Sequence, residues 1–211
     1  MKFKIWIKNL SSLTVGGSTD LGEVDVPMNR MGFPASSVKG AMRTALHRAV
    51  KEWGEEMKEY NLRLTSCGEI DPDFMKRAHR GKPCDVCNLF GTPSSSVEGR
   101  SRVRIYQVEV PNEVHKLTRV SIDRKTRTKR EGALFSQEVY KPKEVFQFEI
   151  ELEDPRDHDL TMVLLSLLYM RYFRVGRGGM IDVKVENPCS NGCDEFTKKL
   201  AERLGEWEVE I

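Results

Sequence analysis

An α+β fold is predicted for this 211-residue chain: a ferredoxin-like (RRM-like) core with large insertions. Three observations carry it. Short stretches of strict apolar–polar alternation mark strands. Two long apolar stripes at helical spacing mark helices. Their order is strand, helix, strand, strand, helix, strand, the split βαβ arrangement. The insertions fall at about 62–100 and 111–135, within one domain spanning 1–211.

The elements follow in order. Lys2 to Lys8 alternates, with Phe3, Ile5 and Ile7 on one face, and reads as the first strand. A loop from Ser11 to Phe33 follows. Pro34 then precedes a helix that Ser36 or Ser37 is expected to cap, with Val38, Met42, Ala45, Ala49, Trp53 and Met57 as its apolar stripe. Leu62 to Pro93 is irregular and holds three cysteines. Val103, Ile105, Tyr106, Val108 and Val110 suggest a second strand whose phase changes at a bulge. Val114 to Leu134 is polar, basic and rich in turn formers, as a protruding hairpin would be. Phe146, Phe148, Ile150 and Leu152 alternate against Gln147, Glu149 and Glu151. Leu160 to Phe173 is an apolar helix, Ile181 to Val185 a strand, Glu195 to Leu204 a helix, and Trp207, Val209 and Ile211 a short last strand.

Net charge is only +2, but it is unevenly spread. Val26 to Val50 contains no acid beside Arg30, Lys39, Arg43 and Arg48, and Lys116 to Arg130 carries seven Lys or Arg against Asp123 alone. Local basic patches on a near-neutral protein point to a polyanion tracked along one face. No signal-peptide pattern and no apolar run of roughly 20 residues is present, so a cytoplasmic protein without a membrane partner is expected. Five cysteines in such a compartment favour metal binding over a disulfide framework. An antiparallel ferredoxin-like sheet is a common RNA-binding scaffold, although the aromatic RNP1 and RNP2 strand motifs are missing.

The first amides of the helix after Pro34 lack intrahelical partners and carry the positive end of its dipole. Ser36 and Ser37 add hydroxyls, and Lys39 and Arg43 share a face beside that end. Together they are read as a site for backbone phosphates. Cys84 and Cys87 form a Cys-x-x-Cys half-site for zinc, with Cys67 and His79 upstream in the same insertion. Four protein ligands would make that zinc structural, since no open position remains. The alternative is reduced cysteines packed as small apolar groups. Cys189 and Cys193 are read as ordinary thiols, a disulfide between them being the alternative.

Three segments carry a family resemblance. They are Leu13-Thr14-Val15-Gly16-Gly17 with Glu23-Val24-Asp25-Val26-Pro27, Phe33-Pro34-Ala35-Ser36-Ser37-Val38-Lys39-Gly40-Ala41-Met42-Arg43, and Cys84-Asp85-Val86-Cys87-Asn88-Leu89-Phe90-Gly91. Val120-Ser121-Ile122-Asp123-Arg124-Lys125-Thr126 and Gly132-Ala133-Leu134-Phe135 add support. The chain resembles the RAMP superfamily of CRISPR-associated proteins, most of all the repeated backbone subunit of type III effector complexes of the Csm and Cmr kind. The resemblance implies a guide (CRISPR) RNA, a single-stranded target RNA, further copies of the same chain and other effector subunits as partners. It also implies cleavage of paired target RNA at regular intervals, with a divalent cation such as magnesium.

Within that resemblance Asp25 matches the cleavage residue, while Asp20 and Glu23 are read as solvated loop acids. Some relatives have a histidine where this chain has Thr14. His115 to Arg130 resembles the thumb hairpin that presses across the guide–target duplex, so Arg119, Arg124 and Arg127 are expected on RNA backbone. Gly176-Arg177-Gly178 matches the family's glycine-rich loop in part, glycines allowing close approach of phosphates; Met180-Ile181-Asp182 replaces the usual continuation. Zinc is seen in some relatives. Three other readings stand beside this one. They are a non-catalytic RAMP scaffold, a metal-independent guide-processing ribonuclease using a histidine such as His47, and a zinc-bearing protein-interaction module.

Overall fold

The computed structural model describes residues 1–17, 24–69, 71–79, 82–92, 99–189 and 192–209. Asp20 and Glu23 lie outside the described residues. Twelve elements run in chain order: β1 Lys2–Asn9, α1 Ala35–Lys58, α2 Pro72–His79, α3 Asp85–Phe90, β2 Val103–Glu109, β3 His115–Ile122, β4 Lys129–Val139, β5 Val145–Leu152, α4 Asp159–Met170, β6 Arg174–Val175, β7 Gly179–Val185 and α5 Glu195–Leu204. One five-stranded antiparallel sheet has the order β2-β5-β1-β7-β6. Its β1-α1-β2-β5-α4-β7 portion is the ferredoxin-like α+β core expected from the alternation. The predicted bulge is present, as a register shift between Gln107 and Glu109.

Alternation dictates which face is covered. Phe3, Ile5, Ile7, Phe146, Phe148 and Ile150 point to one side and are buried beneath α1 and α4. Phe33, fully buried, meets Phe146 and Phe148 edge-on with ring centroids 5.3 and 5.7 Å away. Burying such a ring contributes about 1.5–3 kcal/mol. Helix α4 lies between α1 and α5, and nearly all its residues are buried, which explains its near-continuous apolar sequence.

Helices α2 and α3 lie between α1 and β2. They are not a coreless loop, because Leu62, Met75, Val86, Leu89 and Phe90 are buried. Arg102 fixes α3 to the core: its guanidinium grips both Asp159 carboxylate oxygens at 2.7 and 2.8 Å and donates to the Asn88 carbonyl at 2.9 Å. Strands β3 and β4 form their own two-stranded sheet, the protruding hairpin. Asp123 organises its tip, accepting from the Lys125 amide at 2.8 Å while the Arg127 amide donates to the Asp123 carbonyl at 2.8 Å.

Three expectations need correction. Ser36 and Ser37 do not cap α1. Pro34 is the N-cap residue, and its carbonyl accepts from the Ser37 and Val38 amides. Trp207 and Val209 form no strand, and Ile211 lies outside the described residues. The segment beyond α5 instead lies against the outer face of the sheet, where the buried Asp182 carboxylate accepts from the Glu208 and Val209 amides and Lys8 Nζ donates to the Val209 carbonyl. Arg171, in an ion pair with Asp182 at 2.9 Å, holds the same segment through the Glu206 carbonyl. Cys189 and Cys193 are not free thiols; they form a disulfide.

Candidate nucleic-acid interface and metal centre

The start of α1 carries no acid in its first turn, so no carboxylate of that turn offsets the positive end of its dipole. From here the helix presents two faces. Ser37, Gly40, Ala41, Thr44 and Arg48, spaced along one face, line a groove of about 350 Å³ opposite Arg174 and Gly176. Arg48 lies over the Phe173 ring, 4.3 Å from its centroid. Lys39 is half-buried on the other face. Burial pushes its ammonium below the usual lysine range, and Arg43 and Arg104 push it further. Among the described residues no acid pairs with it. Ser36 is exposed at the helix start.

The glycine loop between β6 and β7 closes the far side of the groove. Gly176 has φ +57°, and a Cβ there would lie 2.3 Å from the Thr14 carbonyl oxygen, so only glycine fits this approach. The Arg177 amide donates to that same carbonyl at 2.9 Å. Arg177, Gly178 and Arg174 then join Arg119 of β3, Ser11 and Ser12 around a second concavity of about 340 Å³. Arg174 lines both hollows, so the helix start, the glycine loop and the foot of the hairpin form one surface. Among the described residues neither hollow is lined by an acid. Arg124 and Arg127 stand apart from it, exposed at the hairpin tip. Thr44 and Arg174 are not expected from the sequence, and Arg48 only as part of the basic patch. The spacing Ser37, Ala41, Thr44, Arg48 is a helix face that a periodicity reading could have found.

Asp25 sits where three segments meet at the foot of the hairpin. Bridges join Gly16 to Met28 and Val26 to Gln137. The Asp25 Oδ2 atom accepts from the Ser136 amide at 2.7 Å and from its hydroxyl at 2.9 Å. These bonds, the amide first, hold the exposed Asp25 carboxyl below the usual carboxylate range, and Lys116 adds to the effect. Asp25 is therefore ionised at neutral pH. Thr14 is buried, donating to the Glu138 carbonyl at 2.6 Å and accepting from Gln137 Nε2 at 2.7 Å. It serves the packing of the same junction.

The four predicted ligands come together. The donor atoms of Cys67, His79, Cys84 and Cys87 all lie within 4.8 Å of one another, which suits a tetrahedral ion. His79 Nε2 is buried with no hydrogen-bond partner among the described residues, an orphan that a metal would satisfy. Donation from Cys87 pulls the Cys84 thiol down to about 4 and pushes Cys87 up, so one thiolate is already favoured. Asp85 ties the two cysteine-bearing segments together by accepting from the Thr65 amide at 2.7 Å. The set could hold a metal. Arg43 turns toward it rather than toward the helix start: its Nη2 lies 3.0 Å from Cys87 Sγ and 3.0 Å from Met75 Sδ. His47 is buried on α1, with Nδ1 2.7 Å from Ser66 Oγ, and burial holds its imidazole below its usual range. It is not placed to meet a substrate.

The outer face of the sheet is occupied differently. Lys2 pairs with Glu149 and Glu151, Tyr106 donates to Glu151, and Arg104 pairs with Glu153, so its charges cancel locally. Among the described residues no helix is long and apolar enough to cross a membrane. A comparison with curated proteins found no match. The model of the RAMP superfamily matches residues 6–179, a span that takes in the helix start, Asp25, the cysteine cluster, the hairpin and the glycine loop. The chain belongs to the RAMP superfamily, with the CRISPR-associated, RNA-binding role that this membership implies.

Proposed function

We propose that the chain is a guide-RNA-binding backbone subunit of a type III CRISPR effector complex and cleaves paired target RNA at Asp25. The placement of Asp25 carries this reading. It is an exposed, ionised carboxylate tied to Ser136 at the foot of a basic hairpin, whose Arg119 lines a cationic hollow without an acid among the described residues. Both Ser136 contacts fall on Oδ2.

RNA supplies its own nucleophile in the 2′-hydroxyl, so the protein must align it with the phosphorus and offset the charge that develops. Guide backbone lies along Ser36, Ser37 and the glycine loop, Gly176, Arg177 and Gly178, and reaches Lys39 around the N-terminal end of α1. Arg119, Arg124 and Arg127 hold the duplex from the hairpin side. A carboxylate with a depressed pKa is a weak proton acceptor, so Asp25 serves as a ligand. A divalent ion such as magnesium, when bound there, supplies Lewis-acid stabilisation of the phosphate oxygens. Zinc on Cys67, His79, Cys84 and Cys87 is structural and stiffens the insertion against α1. Target RNA, neighbouring copies and other effector subunits complete the assembly.

A second reading, a scaffold subunit that binds guide without cutting, is favoured by one observation. Asp25 already has a structural task in fastening Ser136, and the neighbouring Thr14 is buried and offers no imidazole. Target cleavage by a reconstituted guide complex separates the two. Asp25→Asn keeps an oxygen for Ser136 but removes the charge. It is expected to retain guide RNA and lose regular cutting. Cutting at wild-type rate in that variant would overturn the role of Asp25, and a wild-type complex that retains guide RNA without cutting would establish the scaffold reading.

A further inference from the structure

We infer that Arg43 is an outer-shell partner of the metal centre, its guanidinium donating to Cys87 Sγ and compensating the negative charge of the loaded site. This rests on the reading of Cys67, His79, Cys84 and Cys87 as zinc ligands.

The argument starts from what surrounds the guanidinium. Arg43 is half-buried on α1, and its hydrogen-bond partners among the described residues are two sulfurs, Cys87 Sγ and Met75 Sδ, each at 3.0 Å. No carboxylate pairs with it among those residues. A permanent cation withdrawn from water needs an anion. A protonated thiol and a thioether are weak acceptors and bring no charge of their own, so these two sulfurs by themselves do not meet that need.

The loaded site does. A divalent ion held by three thiolates and one neutral imidazole carries about one unit of negative charge. Arg43 carries one unit of the opposite sign and touches a ligand sulfur directly. An N–H donated to a coordinated thiolate disperses charge on that sulfur and fixes its direction, as hydrogen bonds to first-shell ligands generally do. Met75 on α2 supports the same Nη2, so α1, α2 and α3 meet at this one nitrogen. Arg43 also adds to the cationic field at Lys39. Charge compensation by the cluster therefore links the metal site to the phosphate-binding end of α1.

The test uses the full chain, loaded with zinc and titrated against a chromophoric chelator, with cobalt substitution to report ligand number. Arg43→Met keeps a flexible unbranched apolar stem and removes charge and donors. It is expected to lower zinc affinity by about 10- to 100-fold, the usual effect of losing such a partner, while the cobalt–thiolate bands keep their tetrahedral pattern. Arg43→Gln, which retains an N–H donor without the charge, is expected to lose affinity too and serves if the Met variant does not fold. Affinity within about twofold of wild type in the folded variants would overturn the role of Arg43 alone. A wild-type chain that binds no zinc would overturn the metal reading, and this inference with it.

Discussion

Gly40→Ala separates stability from function at the start of α1. Gly40 is exposed, lies inside the helix, and a Cβ built on it meets no atom within 4 Å. Alanine there gains about 1 kcal/mol of helix propensity, much of it by restricting the unfolded chain. For a protein of this size that gain raises Tm by about 2–4 °C. Yet Gly40 also lines the groove shared by Ser37, Thr44 and Gly176. A methyl group there holds a phosphate away from the Ser37 hydroxyl and the helix end. Losing one charge-assisted hydrogen bond costs about 1.5–3 kcal/mol, a tenfold or greater loss of affinity. Thermal melts and fluorescence anisotropy with single-stranded RNA at fixed salt read the two effects on one sample. A more stable variant that binds RNA as wild type does would refute the groove as a contact surface. A less stable variant would refute the open surroundings of Gly40.

Two further outcomes follow from the same structure. Burial raises the Asp194 carboxyl, but the Thr197 hydroxyl and amide outweigh it and leave its pKa below the ordinary value. Its contribution as the cap of α5 is therefore present above the unfolded value near ~4 and lost as pH falls through the lower folded value. Asp194→Ala should cost about 1 kcal/mol at pH 7 in urea unfolding and less as the medium is acidified. Removing metal with a chelator should lower Tm and raise amide exchange between Leu62 and Phe90, with α5 and the sheet unaffected; unchanged exchange there would argue against a structural ion.

Much of the fold was legible because it is a matter of period. Sheet residues covered on one face must alternate, and Val145–Leu152 was predicted from that pattern alone. Glu195–Leu204 is the helix expected there, and the structure adds Asp194 as its cap. The tail was misread for the same reason. Trp207 and Val209 alternate, but their backbone is captured by Asp182 and Lys8, residues distant in sequence. The helix cap was misassigned because serines are common caps, whereas here the Pro34 carbonyl is the acceptor. At the site, the cysteine spacing announced the metal cluster, and the structure brings its four members together. The direction of Arg43 was not readable. Helical spacing puts it beside Lys39, but sulfurs delivered by a separate insertion decide where its guanidinium goes. The groove was hidden too, because Ser37 and Gly176 meet only through the packing of α4 and the glycine loop.

Lysine footprinting tests most directly where RNA lies on this molecule. The full chain is acetylated with and without guide RNA, and protection is read by mass spectrometry. RNA on the surface formed by the helix start and hairpin should shield Lys39, with Lys125 and Lys129 on the hairpin, and leave Lys2, Lys4 and Lys184 on the outer sheet face as reactive as before. Protection of Lys2, Lys4 and Lys184 with Lys39 unchanged would place RNA on the open sheet and contradict the account.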